Sequence, residues 1–189
     1  MPRPLSPVVI LFEDRYARQG RNFGPHVLAC ACVGDVLGMD RWQLAGTSGP
    51  VKAVPLKGNT NVIEACRERA SGYTPCGESF VVVVDDDEIR PALGLPQGTC
   101  KPEVKARFPG HGSPVLVLLE RNVETLVNAV LELEGRPPLT RKDRAERDSV
   151  LNRAASPVWN SERRSALRAK VPSFDYLVQK LVEALTRAG

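Results

Sequence analysis

The chain has 189 residues, of which 42% are hydrophobic and 25% are charged. This length and composition suit one ordinary domain with a single core. No apolar run approaches the roughly 20 residues that cross a bilayer, which excludes a membrane span. The apolar segment that follows residues 1–7 is too short for a secretory signal. We therefore expect a cytoplasmic protein that does not bind a membrane.

Cysteines and histidines are too few and too irregularly spaced to indicate a zinc site. The five cysteines are odd in number and show no CxxC spacing, and there are only two histidines. Reduced, buried thiols are the expected state.

Charge is distributed unevenly along the chain. The 26 basic and 22 acidic residues give a net charge of +4, which is too small to indicate nucleic-acid binding by itself. Residues 136–170 are rich in arginine and lysine, whereas Asp85–Glu88 form the clearest acidic run. A basic tail beside an acidic centre can bring a phosphate polymer to a metal ion, but a charge run is also typical of a solvated surface.

Short apolar runs predict the strands of a sheet. The runs Val8–Phe12, Phe80–Val84 and Val115–Leu119 are rich in β-branched residues or leucine and are typical of strands buried on both faces. The second run is the strongest and is expected at the middle of the sheet. Shorter strands are predicted over residues 42–45 and 51–54.

The segments between these runs favour helices. A helix is predicted over residues 23–37, where Pro25 suits only a first turn. Thr60 or Asn61 can cap a helix that runs to about residue 70, and residues 87–93 predict a short helix. Residues 94–114 predict a long loop.

Helical patterns dominate after the third apolar run. Apolar residues from Val123 to Leu131 form one stripe, which predicts an amphipathic helix ended by Gly135. The remainder is charged and helical, and Ser173 is the predicted N-cap of the last helix. Residues 1–135 therefore predict an α/β fold with a largely parallel sheet sandwiched by helices, and residues 136–189 a helical C-terminal extension packed on that core.

Acidic residues follow three of the predicted strands. They are Glu13 after the first, Asp85, Asp86 and Asp87 after the second, and Glu120 and Glu124 after the third. The carboxyl ends of parallel strands meet at one edge of a sheet, and crowded carboxylates require protonation or a bound cation. Mg²⁺ and Mn²⁺ prefer such oxygen ligands.

The spacing of these acids favours a metal site but leaves alternatives open. Strand alternation predicts Asp85 and Asp87 on one face, so that the pair can hold one ion. Glu120 and Glu124, four residues apart where a helix begins, can share a helix face. Taken singly, Glu13 is typical of a solvated loop acid, and the two later glutamates suit the positive N-terminus of a helix. Their joint occurrence at three strand ends is what indicates the site.

These residues resemble the TOPRIM (topoisomerase-primase) fold. Glu13, the Asp85-x-Asp87 motif and the strand leading into residues 120–126 are similar to small stand-alone TOPRIM-like bacterial domains, relatives of the TOPRIM part of overcoming-lysogenization-defect nucleases. The Ser173-Phe174 segment matches a late helix of those domains. The sequence departs from them in lacking a glycine directly after Glu13 and a tryptophan near Leu126.

The resemblance implies a catalytic metal centre. Asp85 and Asp87 would hold Mg²⁺ or Mn²⁺, with Glu120 or Glu124 adding a ligand, and Glu13 would be a general acid or base or a ligand of a second ion. Residues that would contact phosphate are Arg15 and Lys57.

The implied activity is metal-dependent phosphodiester hydrolysis of DNA or RNA. The resemblance further implies a role in antiphage defence with a separately encoded ATPase partner, and it is compatible with a homo-oligomer. Two alternatives stay open: a non-catalytic TOPRIM-like adaptor or sensor subunit, and a flavodoxin-like phosphate or nucleotide binder. The chain itself has no phosphate-loop motif for ATP.

Overall fold

The computed structural model describes residues 5–13, 25–46, 48–71, 79–109, 115–119, 123–139 and 143–187. Within these ranges a four-stranded, all-parallel sheet lies between two layers of helices. The predicted α/β fold, with its parallel sheet and helical C-terminal region, is confirmed. None of the described helices is both long enough and apolar enough to cross a lipid bilayer.

The strands are the apolar runs seen in the sequence. They are β1 (Val8–Glu13), β2 (Val51–Leu56), β3 (Ser79–Asp85) and β4 (Val115–Leu119), in the spatial order β2-β1-β3-β4. Strands β1 and β3 occupy the centre of the sheet and are buried on both faces, because helices cover each side. β-Branched residues suit this environment, since their stiff side chains pack well on a pleated surface.

Nine helices accompany the strands in the described ranges: α1 (Pro25–Leu37), α2 (Arg41–Ala45), α3 (Asn59–Ser71), α4 (Asp86–Ala92), α5 (Lys101–Arg107), α6 (Val123–Leu133), α7 (Arg144–Ala155), α8 (Ser161–Lys170) and α9 (Pro172–Thr186). Helices α1, α2 and α6 to α9 cover the sheet face that carries Ile10 and Val81, which we name the α1 face. Helices α3, α4 and α5 cover the opposite face, which carries Leu11 and Val82 and is named the α3 face.

Helix α1 lies at the centre of its layer. Residues 26–34 are all buried, because α2, α7, α8 and α9 pack around the helix and its side chains share one core with those of the sheet. A helix that is apolar all round is expected in such a position. The C-terminal helices thus complete the core of the α1 face, where Trp159 and Phe174 are among the largest fully buried side chains.

Two of the predicted elements are wrong, and a local cause explains each. Residues 42–45 belong to helix α2, not to a strand, because Asp40 and Gln43 form a capping box at its start. The predicted loop over residues 94–114 contains α5, which begins with a proline in its first turn and is anchored by buried Val104 and Phe108.

The start of the last helix also differs from the prediction. Helix α9 begins at Pro172, with Val171 at the N-cap, so Ser173 lies inside its first turn. Proline at the first helical position lacks only an N–H that the helix would leave unbonded. This explains why the helix starts one residue before the serine that resembles a cap.

Candidate functional site at the carboxyl edge of the sheet

The strand order predicts a crevice at the carboxyl ends of β1 and β3. The connection that leaves β1 returns through α1 on one face, whereas β3 leads into α4 on the other face. In doubly wound parallel sheets, the point where neighbouring connections depart to opposite faces is the usual ligand site. The order β2-β1-β3-β4 places this point between β1 and β3. The residues that end these strands, Glu13 and Asp85, therefore flank the crevice.

Glu13 is the last residue of β1 and lies beside Leu56 of β2 in the parallel register. The residue is half-buried, and its Oε1 atom is buried from solvent. Val9 and Leu11 pack on the α3 face, so side-chain alternation directs Glu13 to that same face.

Asp85 is the last residue of β3 and the N-cap of α4, but its side chain makes no capping hydrogen bond to that helix. Val81 and Val83 pack on the α1 face, so alternation directs Asp85 to that face. Glu13 and Asp85 thus approach the crevice from opposite faces of the sheet. The predicted parallel sheet is confirmed, but the sequence predicted neither that β1 and β3 are neighbours nor this difference in direction.

The remaining acids of the Asp85–Glu88 run lie in a helix. Strand β3 ends at Asp85 and α4 begins at Asp86, so the predicted strand alternation between Asp85 and Asp87 is wrong. The Asp86 carboxylate forms an ion pair with Arg90 at 2.9 Å, and Arg90 also donates to the Thr99 carbonyl at 2.8 Å. The hydrogen bond to Thr99 connects α4 to the segment that follows it. The side chain of Asp87 lies outside the described part of the structure.

Of the other predicted site residues, the structure describes Glu124 and Lys57. Glu124, in the first turn of α6, accepts a hydrogen bond from Arg147 of α7 at 2.7 Å. Lys57 is exposed in the turn between β2 and α3, where Gly58 takes a φ of 85° that favours glycine. Glu120 and Arg15 lie outside the described residues. The structure thus brings Glu13, Asp85 and Lys57 to the carboxyl edge.

His26 also lies at this edge, and the sequence predicted no role for it, because the two histidines showed no zinc-binding pattern. It is the second residue of α1 and is 7% exposed. Its ring lies 5.4 Å from the ring of Phe12, which precedes Glu13 in β1. The Nδ1 atom is buried and has no hydrogen-bond partner among the described residues. The signal available in the sequence was its position directly after Pro25, at the start of a helix that follows a central strand.

Burial makes His26 a source of pH-dependent stability. Loss of hydration lowers the pKa of His26 from 6.5 to about 4. Between these values the unfolded chain binds the proton more readily than the folded protein, so the free energy of unfolding falls as the pH decreases from 6.5 to 4. The loss is about 3 kcal/mol at most and does not grow below pH 4. Urea unfolding of the wild type and of His26→Phe between pH 6.5 and 4 tests the effect. The free energy of unfolding of the variant should lack the decrease that His26 causes in the wild type. Parallel curves for the two proteins would contradict it.

The described residues offer oxygen ligands but no dense metal cluster. Among them, no group of three or more His, Cys, Asp or Glu side chains is close enough to hold a metal ion. Mg²⁺ is commonly bound by one or two carboxylates, with water and substrate phosphate completing its shell. Glu13 and Asp85 are the strand-end carboxylates that the described residues offer at this edge, and alternation directs them to opposite faces of the sheet. A thiolate site does not fit, because Cys30 and Cys32 are buried and burial raises the pKa of each to about 12.

Comparison with known proteins adds no assignment to this geometry. No family model matches the sequence, and no significant match is found among curated proteins or solved structures. The resemblance to TOPRIM domains therefore stays a prediction from the motifs.

Proposed function

We propose that the protein is an Mg²⁺- or Mn²⁺-dependent phosphodiesterase that acts on nucleic acid. The observation that carries the proposal is the placement of Glu13 and Asp85 at the ends of adjacent central strands, where the connections diverge to opposite faces. Two carboxylates at a crevice of this kind suit a divalent ion whose other ligands come from water and a phosphate.

The roles of the residues follow from their positions. Asp85 would hold the ion at the end of β3, and Glu13 would hold a second ion or exchange a proton with the attacking water. The exposed ammonium of Lys57, in the turn after the neighbouring strand β2, would contact a substrate phosphate. When bound, the divalent ion would lower the pKa of a water ligand and neutralise charge on the phosphate. The TOPRIM resemblance extends the proposal to a separately encoded ATPase partner in antiphage defence.

Metal-dependent cleavage and metal binding together test this proposal. Labelled single- and double-stranded DNA and RNA are incubated with the purified chain and Mn²⁺, Mg²⁺ or EDTA, and Mn²⁺ binding is measured by calorimetry. We expect cleavage with Mn²⁺ and none with EDTA, together with a binding heat that Asp85→Asn reduces. The Glu183→Gln variant is a matched control, because Glu183 lies far from the proposed site. Leu185, two residues further along α9, accepts a hydrogen bond from the Ser6 amide. Ser6 precedes β1 and so lies at the opposite, amino edge of the sheet. Metal-independent cleavage, or an equal loss in Glu183→Gln, would contradict the proposal.

A second candidate is a non-catalytic adaptor with the same fold. The observation in its favour is that one predicted ligand, Glu124, is bonded to Arg147, while the described residues contain no three-member metal cluster. Charged C-terminal helices would then bind a partner protein. Absence of both cleavage and metal binding in the assays above would favour this candidate.

A further inference from the structure

We propose that the N-terminus of α1 and the imidazole of His26 form a binding site for a phosphate group. This site goes beyond the proposed hydrolysis, because it requires neither a divalent ion nor cleavage. Its ligand class is the dianionic phosphate of a monoester or of inorganic phosphate.

The helix terminus supplies the electrostatic part of the site. Helix α1 has 13 residues and carries no acidic side chain in its first turn. Pro25 has no N–H, so the amides of His26 and Val27 are the first-turn donors that the helix leaves without internal partners. Residue 24, which precedes the helix in the sequence, is a glycine. A helix N-terminus of this kind carries partial positive charge and favours phosphate.

The side chain of His26 is the independent observation. A buried polar atom normally has a hydrogen-bond partner, yet Nδ1 of His26 is buried with none among the described residues. Side chains in a helix tilt toward its N-terminus, so a residue in the first turn directs its ring to the end of the helix. Contact with Phe12 places that ring at the carboxyl end of β1. A neutral imidazole there can donate one N–H to a phosphate oxygen.

The neighbouring carboxylates determine which part of the crevice the phosphate uses. Alternation places Phe12 on the α1 face, together with His26, and Glu13 on the α3 face. The phosphate can therefore approach α1 without approaching Glu13. Alternation also directs Asp85 to the α1 face, where its carboxylate would weaken phosphate binding in the absence of a cation.

Nuclear magnetic resonance provides a direct test, because the chain has only two histidines. Inorganic phosphate is titrated without divalent ions, at constant ionic strength and neutral pH, with His111→Gln used to assign the imidazole signals. We expect saturable shifts of the His26 ring and of the His26 and Val27 amides. The first-turn amides of α8 serve as an internal control, because Asn160 caps that helix and Glu162 lies in its first turn.

Two further measurements complete the test. His26→Phe keeps an aromatic ring against Phe12 and removes the imidazole nitrogens, so phosphate affinity should fall about tenfold or more. 5′-AMP should bind like inorganic phosphate if the site takes a monoester. If only an unphosphorylated oligonucleotide produces the shifts, the bound group is a phosphodiester of the nucleic-acid backbone and the monoester site is wrong. Absence of saturable His26 shifts in the wild type, or unchanged phosphate affinity in His26→Phe, would overturn the site. Cleavage results do not enter this test, so the phosphate site and the proposed hydrolysis can fail separately.

Discussion

Replacing Glu13 by Gln and Asp85 by Asn together is expected to reduce Mn²⁺-dependent cleavage by about 10²–10⁴-fold or more, because the variant loses both strand-end carboxylates. The shapes of the side chains are retained. Asp85 makes no capping hydrogen bond to α4, so Asn should not weaken the start of that helix. Circular dichroism of the variant checks that the loss appears in the cleavage rate and not in folding.

Single variants and a control sharpen this experiment. Each single variant should lose most of the activity if the two residues act as one unit, since removing either member then removes the function. Glu124→Gln distinguishes two roles of Glu124. Retained cleavage indicates that Glu124 acts only in its ion pair with Arg147, whereas lost cleavage indicates that it is a metal ligand. Wild-type cleavage rates in the Glu13→Gln/Asp85→Asn variant would refute the phosphodiesterase at this edge.

The largest effect on stability is expected for Trp159→Ala. Trp159 is 1% exposed within the core of the α1 face. Its Nε1 atom donates to Glu134 Oε1 at 3.0 Å, and Glu134 also accepts two hydrogen bonds from Arg153 at 2.8 and 2.5 Å. Truncating a buried tryptophan leaves a cavity and costs about 3–5 kcal/mol, a large part of the stability of an ordinary domain.

Trp159→Phe separates packing from hydrogen bonding. Phenylalanine retains most of the apolar volume but cannot donate to Glu134, so the expected loss is about 1–3 kcal/mol. Urea unfolding followed by circular dichroism gives the free energies of unfolding of both variants. An alanine variant within about 1 kcal/mol of the wild type would show that the C-terminal helices do not depend on Trp159.

Hydrogen bonds from Arg153 and Trp159 also hold the pKa of Glu134 below its ordinary value of 4.5. This side chain therefore stays ionised in mildly acidic solution and keeps the end of α6 joined to α7 and to the segment before α8. Several basic residues of the C-terminal third thus form ion pairs within the protein. Arg164 with Asp35, Arg168 with Asp175 and Lys170 with Glu132 are further examples. The sequence shows the basic run but not that these partners balance it.

Local chemistry was sufficient to predict the strands and most helices. Val81–Val84 and Val115–Leu119 are apolar on both faces, and only a sheet covered on both sides accommodates such runs. Pro25 correctly marked the first turn of α1. The failure at residues 42–45 arose because a capping box, which depends on two side chains bonding back to the chain, outweighed the apolar character of Trp42 and Leu44.

The amino-acid sequence by itself determined the three strongly apolar strands, that acids follow each of these three, and that helices must cover both faces of the sheet. Only the tertiary structure decided that β1 and β3 are neighbours, that Glu13 and Asp85 point to opposite faces, and that His26 lies buried against Phe12. The physical reason is that apolar periodicity indicates only the type of an element and which of its faces is buried. Strand order and the depth of a helix within its layer depend on packing between residues far apart in the chain, which no local pattern records.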